Sequence, residues 1–132
     1  MEKKDLLKDV IKHIDIKSYN STELVDAMRN MSFTSRDTAR AADILMMMCK
    51  EKECTNILTL AGSTSAAGCM QVYVDMVRNK MIDVVVATGA SIIDMDLFEA
   101  LGFKHYIGEK ENVIPDTTLR DLYIDRIYDT YI

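Results

Sequence analysis

Two short apolar runs, each ending in small residues that lead toward a helical pattern, constrain this chain more than any other feature. The first is Asn56-Ile57-Leu58-Thr59-Leu60. It is followed by Ala61-Gly62-Ser63-Thr64-Ser65-Ala66-Ala67-Gly68 and an amphipathic segment over residues 67–79 that turns Met70, Val74 and Val77 inward. The second is Val84-Val85-Val86-Ala87, which stops at Thr88-Gly89-Ala90-Ser91. Runs this short and this apolar read as strands buried on both faces. Strand, loop, helix, strand is a βαβ unit, so the strands should be parallel and the crossover right-handed. Both loops should then lie at one edge of the sheet, where ligands of open α/β sheets settle. Beyond the second loop, Asp94 and Asp96 precede Leu97, Phe98, Ala100 and Leu101 and read as the acidic first turn of a short helix.

Backbone N–H groups at a small-residue turn opening a helix favour an anion such as the phosphates of a dinucleotide. The loop is not G-x-G-x-x-G, and many loops of this kind bind nothing, so both readings stand. With 132 residues there is room for one domain, covering residues 1–132. A formal charge of -5 argues against a nucleic-acid partner, which clustered Lys and Arg would attract. Residues 1–17 contain no uninterrupted apolar core, so neither a signal peptide nor a membrane span is expected, and the cytoplasm is the default location. Cys49, Cys54 and Cys69 lack C-x-x-C spacing, and His13 and His105 are the only histidines. No metal site is expected, and the three thiols read as reduced and mostly buried. No G-x-S-x-G or Walker motif occurs. His105 reads as a packed or surface histidine.

The flanking segments read more simply. Residues 6–16 form either a short helix or an extended arm. Ser21 or Thr22 can cap a helix to about Met31, with Leu24, Val25 and Met28 on one face. Thr34 and Asp37 suggest a second helix start, running to about Lys50 and burying Ala39, Ala42, Leu45, Met46 and Cys49. Arg36 and Arg40 share a face of it, read as a solvated flank in preference to an anion site. After the apolar pair Tyr106-Ile107 comes a polar loop through Pro115. A final helix is then expected, striped with Leu119, Leu122, Tyr123, Ile127 and Tyr131 and running to Ile132. So few strands cannot close a core alone, and the apolar C-terminal stripe needs a surface, so a homo-oligomer is expected.

These residues carry a family resemblance. Asp83-Val84-Val85-Val86-Ala87-Thr88-Gly89-Ala90, followed by Asp96-Leu97-Phe98-Glu99-Ala100-Leu101-Gly102, resembles the nucleotide edge of deoxyhypusine synthase and its deoxyhypusine-synthase-like relatives. The Ala61–Gly68 stretch resembles that family's first small-residue loop, and the segment from Phe33 to Cys49 its entry helix. The resemblance implies an α/β fold, the N-terminal portion of a Rossmann-like parallel sheet with flanking helices. It also implies an NAD-dependent enzyme, a homotetramer with shared active sites. Its members oxidise spermidine, hold the butylamine fragment as an imine on a lysine and pass it to a lysine of a translation initiation factor; relatives take other polyamines.

By position, the resemblance gives Ser63, Thr64, Ser65, Thr88, Gly89 and Ala90 to the dinucleotide, and Asp94 and Asp96 to the cationic polyamine. Synthases carry Glu-Glu-Asp or His-Asp at the last place, with a one-residue difference in spacing. Either aspartate can therefore face the amine, or both only cap the helix. The family's catalytic lysine and much of its pocket belong to a C-terminal half with no counterpart here, so no catalytic residue is assigned. The expectation is an N-terminal part that needs a complementary C-terminal chain for activity. The alternative is a non-catalytic oligomeric binding module derived from the fold.

Overall fold

In the computed structural model, residues 1–108 and 114–132 are described. The expected polar loop between Ile107 and Pro115 therefore lies largely outside the described residues. In chain order the elements are helices α1 (Lys3–Leu6), α2 (Thr22–Met28) and α3 (Phe33–Lys50), strand β1 (Ile57–Leu60), helix α4 (Met70–Arg78), strand β2 (Val84–Ala87), helix α5 (residues 89–100), strand β3 (Tyr106–Ile107), helix α6 (Asp116–Asp121), and strands β4 (Arg126–Ile127) and β5 (Thr130–Tyr131). The contacts divide this α/β chain into two units. One comprises Asp15–Thr59 with Val72–Val86; the other comprises Met1–Ile14, Leu60–Gln71 and Ala87–Ile132.

In the first unit α2 packs against α3, and the Arg29 guanidinium at the end of α2 reaches the carboxylates of Asp26 and Asp43. α2 starts where Ser21 or Thr22 predicts it, but α3 starts at Phe33 with Ser32 at its N-cap, so the expected cap Thr34 already lies inside the helix; neither Ser21 nor Ser32 makes a capping hydrogen bond with its side chain. Ala39 is the buried residue of α3. Leu45 is half-buried, whereas Ala42, Met46 and Cys49 face solvent, contrary to expectation, because only one narrow stripe of the helix meets other elements. All three cysteines are free, and none is buried: Cys49 is exposed, Cys54 and Cys69 half-buried. On α4, Val74 is half-buried but Val77 is exposed.

The strands start at Asn56, a buried polar residue that organises their register. Its carbonyl accepts from the N–H groups of Asp83 and Val84, its N–H donates to the Asp83 carboxylate at 2.8 Å, and its amide Nδ2 donates to Met81 O at 3.1 Å. At the far end, Thr88 N donates to Leu60 O. Pairing Asn56 with Val84 and Leu60 with Thr88 makes β1 and β2 parallel, as the βαβ pattern requires. Burial is another matter. Val84, Val85 and Val86 are 41–55% exposed, and Ile57 is 57% exposed. A sheet of only two strands leaves most of its surface uncovered, which is why the expected burial on both faces fails.

The second unit has its core at Leu6, Leu119, Ile124 and Tyr131, with Leu7, Tyr106, Ile114 and Leu122 packed around it. Its sheet is antiparallel, in the order β3-β5-β4. Residues 9–14 form the extended-arm alternative: Val10 bridges Tyr106, Ile107 N donates to Asp9 O, and Ile11 N to His105 O. The long C-terminal helix does not form. α6 stops at Asp121, and Tyr123 takes a left-handed backbone, φ 55°, that no helix can continue through. The chain then turns back as the β4–β5 hairpin, with Tyr128, φ 53°, in its two-residue connection. The supposed stripe is thus dispersed: Tyr131 is buried in β5, while Tyr123 is almost fully exposed.

Candidate functional site

The two small-residue loops both belong to the second unit, where they meet. The loop after β1 winds into a wide π turn over Ser65–Cys69, and this turn packs against the π-wound middle of α5, Ile92–Leu97. Ser91 Oγ, fully buried, donates to Gly62 O at 2.8 Å and lies 3.3 Å from Thr88 Oγ1. One hydroxyl therefore fastens the second loop to the first at the carboxyl ends of two parallel strands. Gly68, φ 96°, breaks the winding inside this stretch, just before α4 begins at Met70. A Cβ there would sit 3.1 Å from Lys12 O, and Ile14 N donates to Gly68 O, so the N-terminal arm runs directly over this glycine. Only a residue without a side chain tolerates both the left-handed φ and that approach.

The residues expected to face a dinucleotide divide in two. Thr88, Gly89 and Ala90 are exposed, and a Cβ on Gly89 would meet nothing within 4 Å, the open ground a ligand needs. Gly89 does not have a positive φ; it opens a helix instead. In the first loop Ser63 and Thr64 are half-buried and Ser65 is fully buried. The Thr64 Oγ1 and Ser65 Oγ atoms have no hydrogen-bond partner among the described residues. Ser63, Ala66, Ala67 and Ile11 line a cavity of about 220 Å³ whose other wall is residues 127–130. Unsatisfied hydroxyls beside a small-residue loop, with open ground at Gly89, fit a phosphate-bearing ligand in part; Ser65 would be reached only if the loop moved. A larger depression, about 510 Å³, is lined by residues of α6 and β4 and contains none of the expected positions.

Asp94 and Asp96 are not in a first turn. Helical winding begins at Gly89, so both lie inside α5, and the reading in which they only cap a helix fails. Two residues apart on a helix, they point to different sides. Asp94 is exposed. Asp96 is half-buried, and its Oδ1 is buried without a partner among the described residues. A buried carboxylate oxygen left unpaired is costly, so it is the natural place for a cationic donor.

One cluster escapes sequence reasoning altogether. Glu99, at the end of α5, is held between two imidazoles: Oε2 lies 2.6 Å from His13 Nε2, and Oε1 lies 2.6 Å from His105 Nδ1. His105 is 1% exposed. The second ring nitrogens, His13 Nδ1 and His105 Nε2, are buried and have no partner among the described residues. The carboxylate oxygens are both committed, so Glu99 is an anchor joining the arm, α5 and the start of β3. Among the described residues no group of three His, Cys, Asp or Glu is arranged to hold a metal ion. No described helix is long and apolar enough to cross a membrane.

Comparison with known proteins places these features. Residues 23–132 match the family model described as deoxyhypusine synthase. The chain is 63% identical over 131 residues, 99% of its length, to a deoxyhypusine synthase-like protein of Caulobacter vibrioides, covering 35% of that protein. It is 57% identical over 130 residues to a protein of the same description from Coxiella burnetii, covering 98% of this chain and 36% of that one. With the corresponding protein of Chlorobaculum tepidum it shares 53% identity over 132 residues, 100% of this chain and 37% of the relative. The chain thus spans about a third of the length of the curated relatives it matches.

Proposed function

We propose, from the premise that this chain belongs to the deoxyhypusine synthase family, that it is the N-terminal, nucleotide-edge portion of an NAD-dependent polyamine (aminobutyl) transferase. The observation that carries this reading is the Ser91–Gly62 hydrogen bond, which brings two small-residue loops to one edge of a parallel strand pair. NAD, when bound, accepts hydride from the carbon beside a substrate amine. The chain's own residues have simpler tasks. Thr88, Gly89 and Ala90 offer an open backbone surface to the dinucleotide, with Ser63, Thr64 and Ser65 on the facing loop. Asp96, rather than Asp94, receives the ammonium end of a polyamine, because its buried oxygen lacks a donor among the described residues. Glu99 is excluded from substrate binding by its two histidines.

The sheet fits the start of a larger Rossmann-like array, since β1 and β2 are parallel and their outer surfaces are uncovered. Competence therefore requires the further two-thirds of the family length. The test is to mix this chain with a polypeptide carrying the remainder of a close relative, add NAD and spermidine, and follow NADH absorbance. NADH should form with both chains and with neither alone. If no member of a polyamine series yields NADH with the complementing chain, the enzyme reading fails.

A second reading, an oligomeric binding module, is favoured by the apolar surface of α5. Ile93 and Leu97 of α5, and Leu101 just past its end, are 45–66% exposed. Light scattering over a wide concentration range should give a mass above that of one chain. A sharply monomeric mass would remove this reading.

A further inference from the structure

We infer that the α2–α3 face carries a binding site for a phosphate-type oxyanion, in free phosphate or a phosphate ester, formed by Arg36 and Arg40. Arg29, Arg36 and Arg40 line one depression of about 190 Å³, floored by the buried Ala39 and bounded by Asp43. Three arginines and a single carboxylate line it, on a chain whose formal charge is -5. The carboxylates do not neutralise the cluster evenly. Arg29 is taken: it bonds Asp43 and Asp26, and the hydrogen bonds to those two hold its guanidinium more firmly charged than usual. Arg36 donates from its Nε to Met31 O at 2.7 Å, which fixes the plane of the fork and leaves both Nη groups without a partner among the described residues. Arg40 has no hydrogen bond or ion pair among the described residues.

Two like charges at i and i+4 on a helix repel. Here both line a shared hollow, with no carboxylate bound to either among the described residues. A planar guanidinium offers paired N–H donors that match the oxygens of a phosphate, and two such forks clamp one oxyanion. Ala39, the residue between them in the depression, presents only a methyl group and lets the anion approach the helix. The nearby acids are Asp43, engaged by Arg29, and Asp37, which lies on the same helix exposed to solvent. The hollow takes one phosphate group; a nucleoside attached to it would lie outside. This site lies in the first unit and does not depend on the enzyme reading.

The test is titration of the full chain with inorganic phosphate at pH 7 and low ionic strength, following the arginine side-chain N–H resonances. The Arg36 and Arg40 signals should move along a saturable curve. Arg40→Gln should weaken binding by about tenfold, the worth of one charge-assisted hydrogen bond, while Arg78→Gln, the same change of charge elsewhere in the unit, should leave it within about twofold. Asp43→Asn should strengthen it, since it frees Arg29 to join the clamp. Adenosine monophosphate competing with phosphate would assign the site to esters, and failure to compete would assign it to the free ion. Non-saturable shifts, or equal losses in Arg40→Gln and Arg78→Gln, overturn the proposal and leave only general surface attraction. Urea unfolding of each variant verifies that the fold persists.

Discussion

Replacing Glu99 by Gln should loosen the second unit in a way the geometry makes specific. Glu99 accepts from two imidazoles at 2.6 Å each, and its side chain is 10% exposed. A glutamine amide keeps one acceptor and turns the other end into a donor. It can satisfy one histidine, but it faces the second, N–H to N–H, unless that ring changes tautomer. Changing tautomer moves the proton to His13 Nδ1 or His105 Nε2, both buried and without an acceptor among the described residues. Either outcome loses two charge-assisted bonds and strands one donor, a cost of about 2–4 kcal/mol after partial relaxation. Urea unfolding of the parent, Glu99→Gln, His13→Asn and the double variant should show this loss and a coupling of about 1 kcal/mol or more between the two sites. Long-range nitrogen spectra should show one imidazole altering its tautomer in Glu99→Gln. A variant within about 0.5 kcal/mol of the parent, with additive changes in the cycle, would mean the two bonds do not hold the unit together.

Other outcomes follow from single positions. Gly68→Ala should destabilise the chain by about 1–3 kcal/mol in thermal or urea unfolding, through its left-handed backbone and the 3.1 Å approach to Lys12 O. Gly89→Val should leave stability nearly unchanged, because its Cβ meets nothing; if the open loop receives a dinucleotide, saturation-transfer NMR of the complemented protein should show NAD signals lost. Lys17 donates to Asp75 at 2.8 Å, and this bond raises its pKa above the ordinary 10.5. A raised cationic pKa means the stabilisation is complete below pH 10.5 and is lost as pH climbs through the folded value. The stability gap between the parent and Lys17→Met should therefore be constant near neutrality and close at strongly alkaline pH.

The sequence disclosed what is local. Strand, small-residue loop, helix and strand follow one another directly in the chain, and the parallel direction of β1 and β2 followed from that pattern, although not their register. The start of α2 at Thr22 lay at its hydroxyl signal, while α3 began ahead of Thr34, capped at Ser32. What depends on distant partners stayed hidden. Periodicity read a helix through Tyr123, Ile127 and Tyr131, yet the left-handed turn at Tyr123 and the pairing of Tyr131 with Tyr106 are decided by the core around Leu6 and Leu119. His13, Glu99 and His105 offer no spacing to notice, since folding alone makes them neighbours. Asp94 and Asp96 looked like a helix entrance because acidic residues favour one, but Gly89 and Ala90 start the winding earlier.

The π winding of Ile92–Leu97 has a bearing on how such chains diverge in length. A helical segment anchored at both ends cannot gain or lose a residue by rotating, because every residue downstream would change direction. Here the front anchor is Ser91 on Gly62 and the rear anchor is Glu99 between its histidines. A π turn holds about one residue more than an α turn before the chain resumes its course, so it confines an indel to the middle of the segment. Length variation among such chains can therefore re-aim Asp94 and Asp96 while both anchors stay in place.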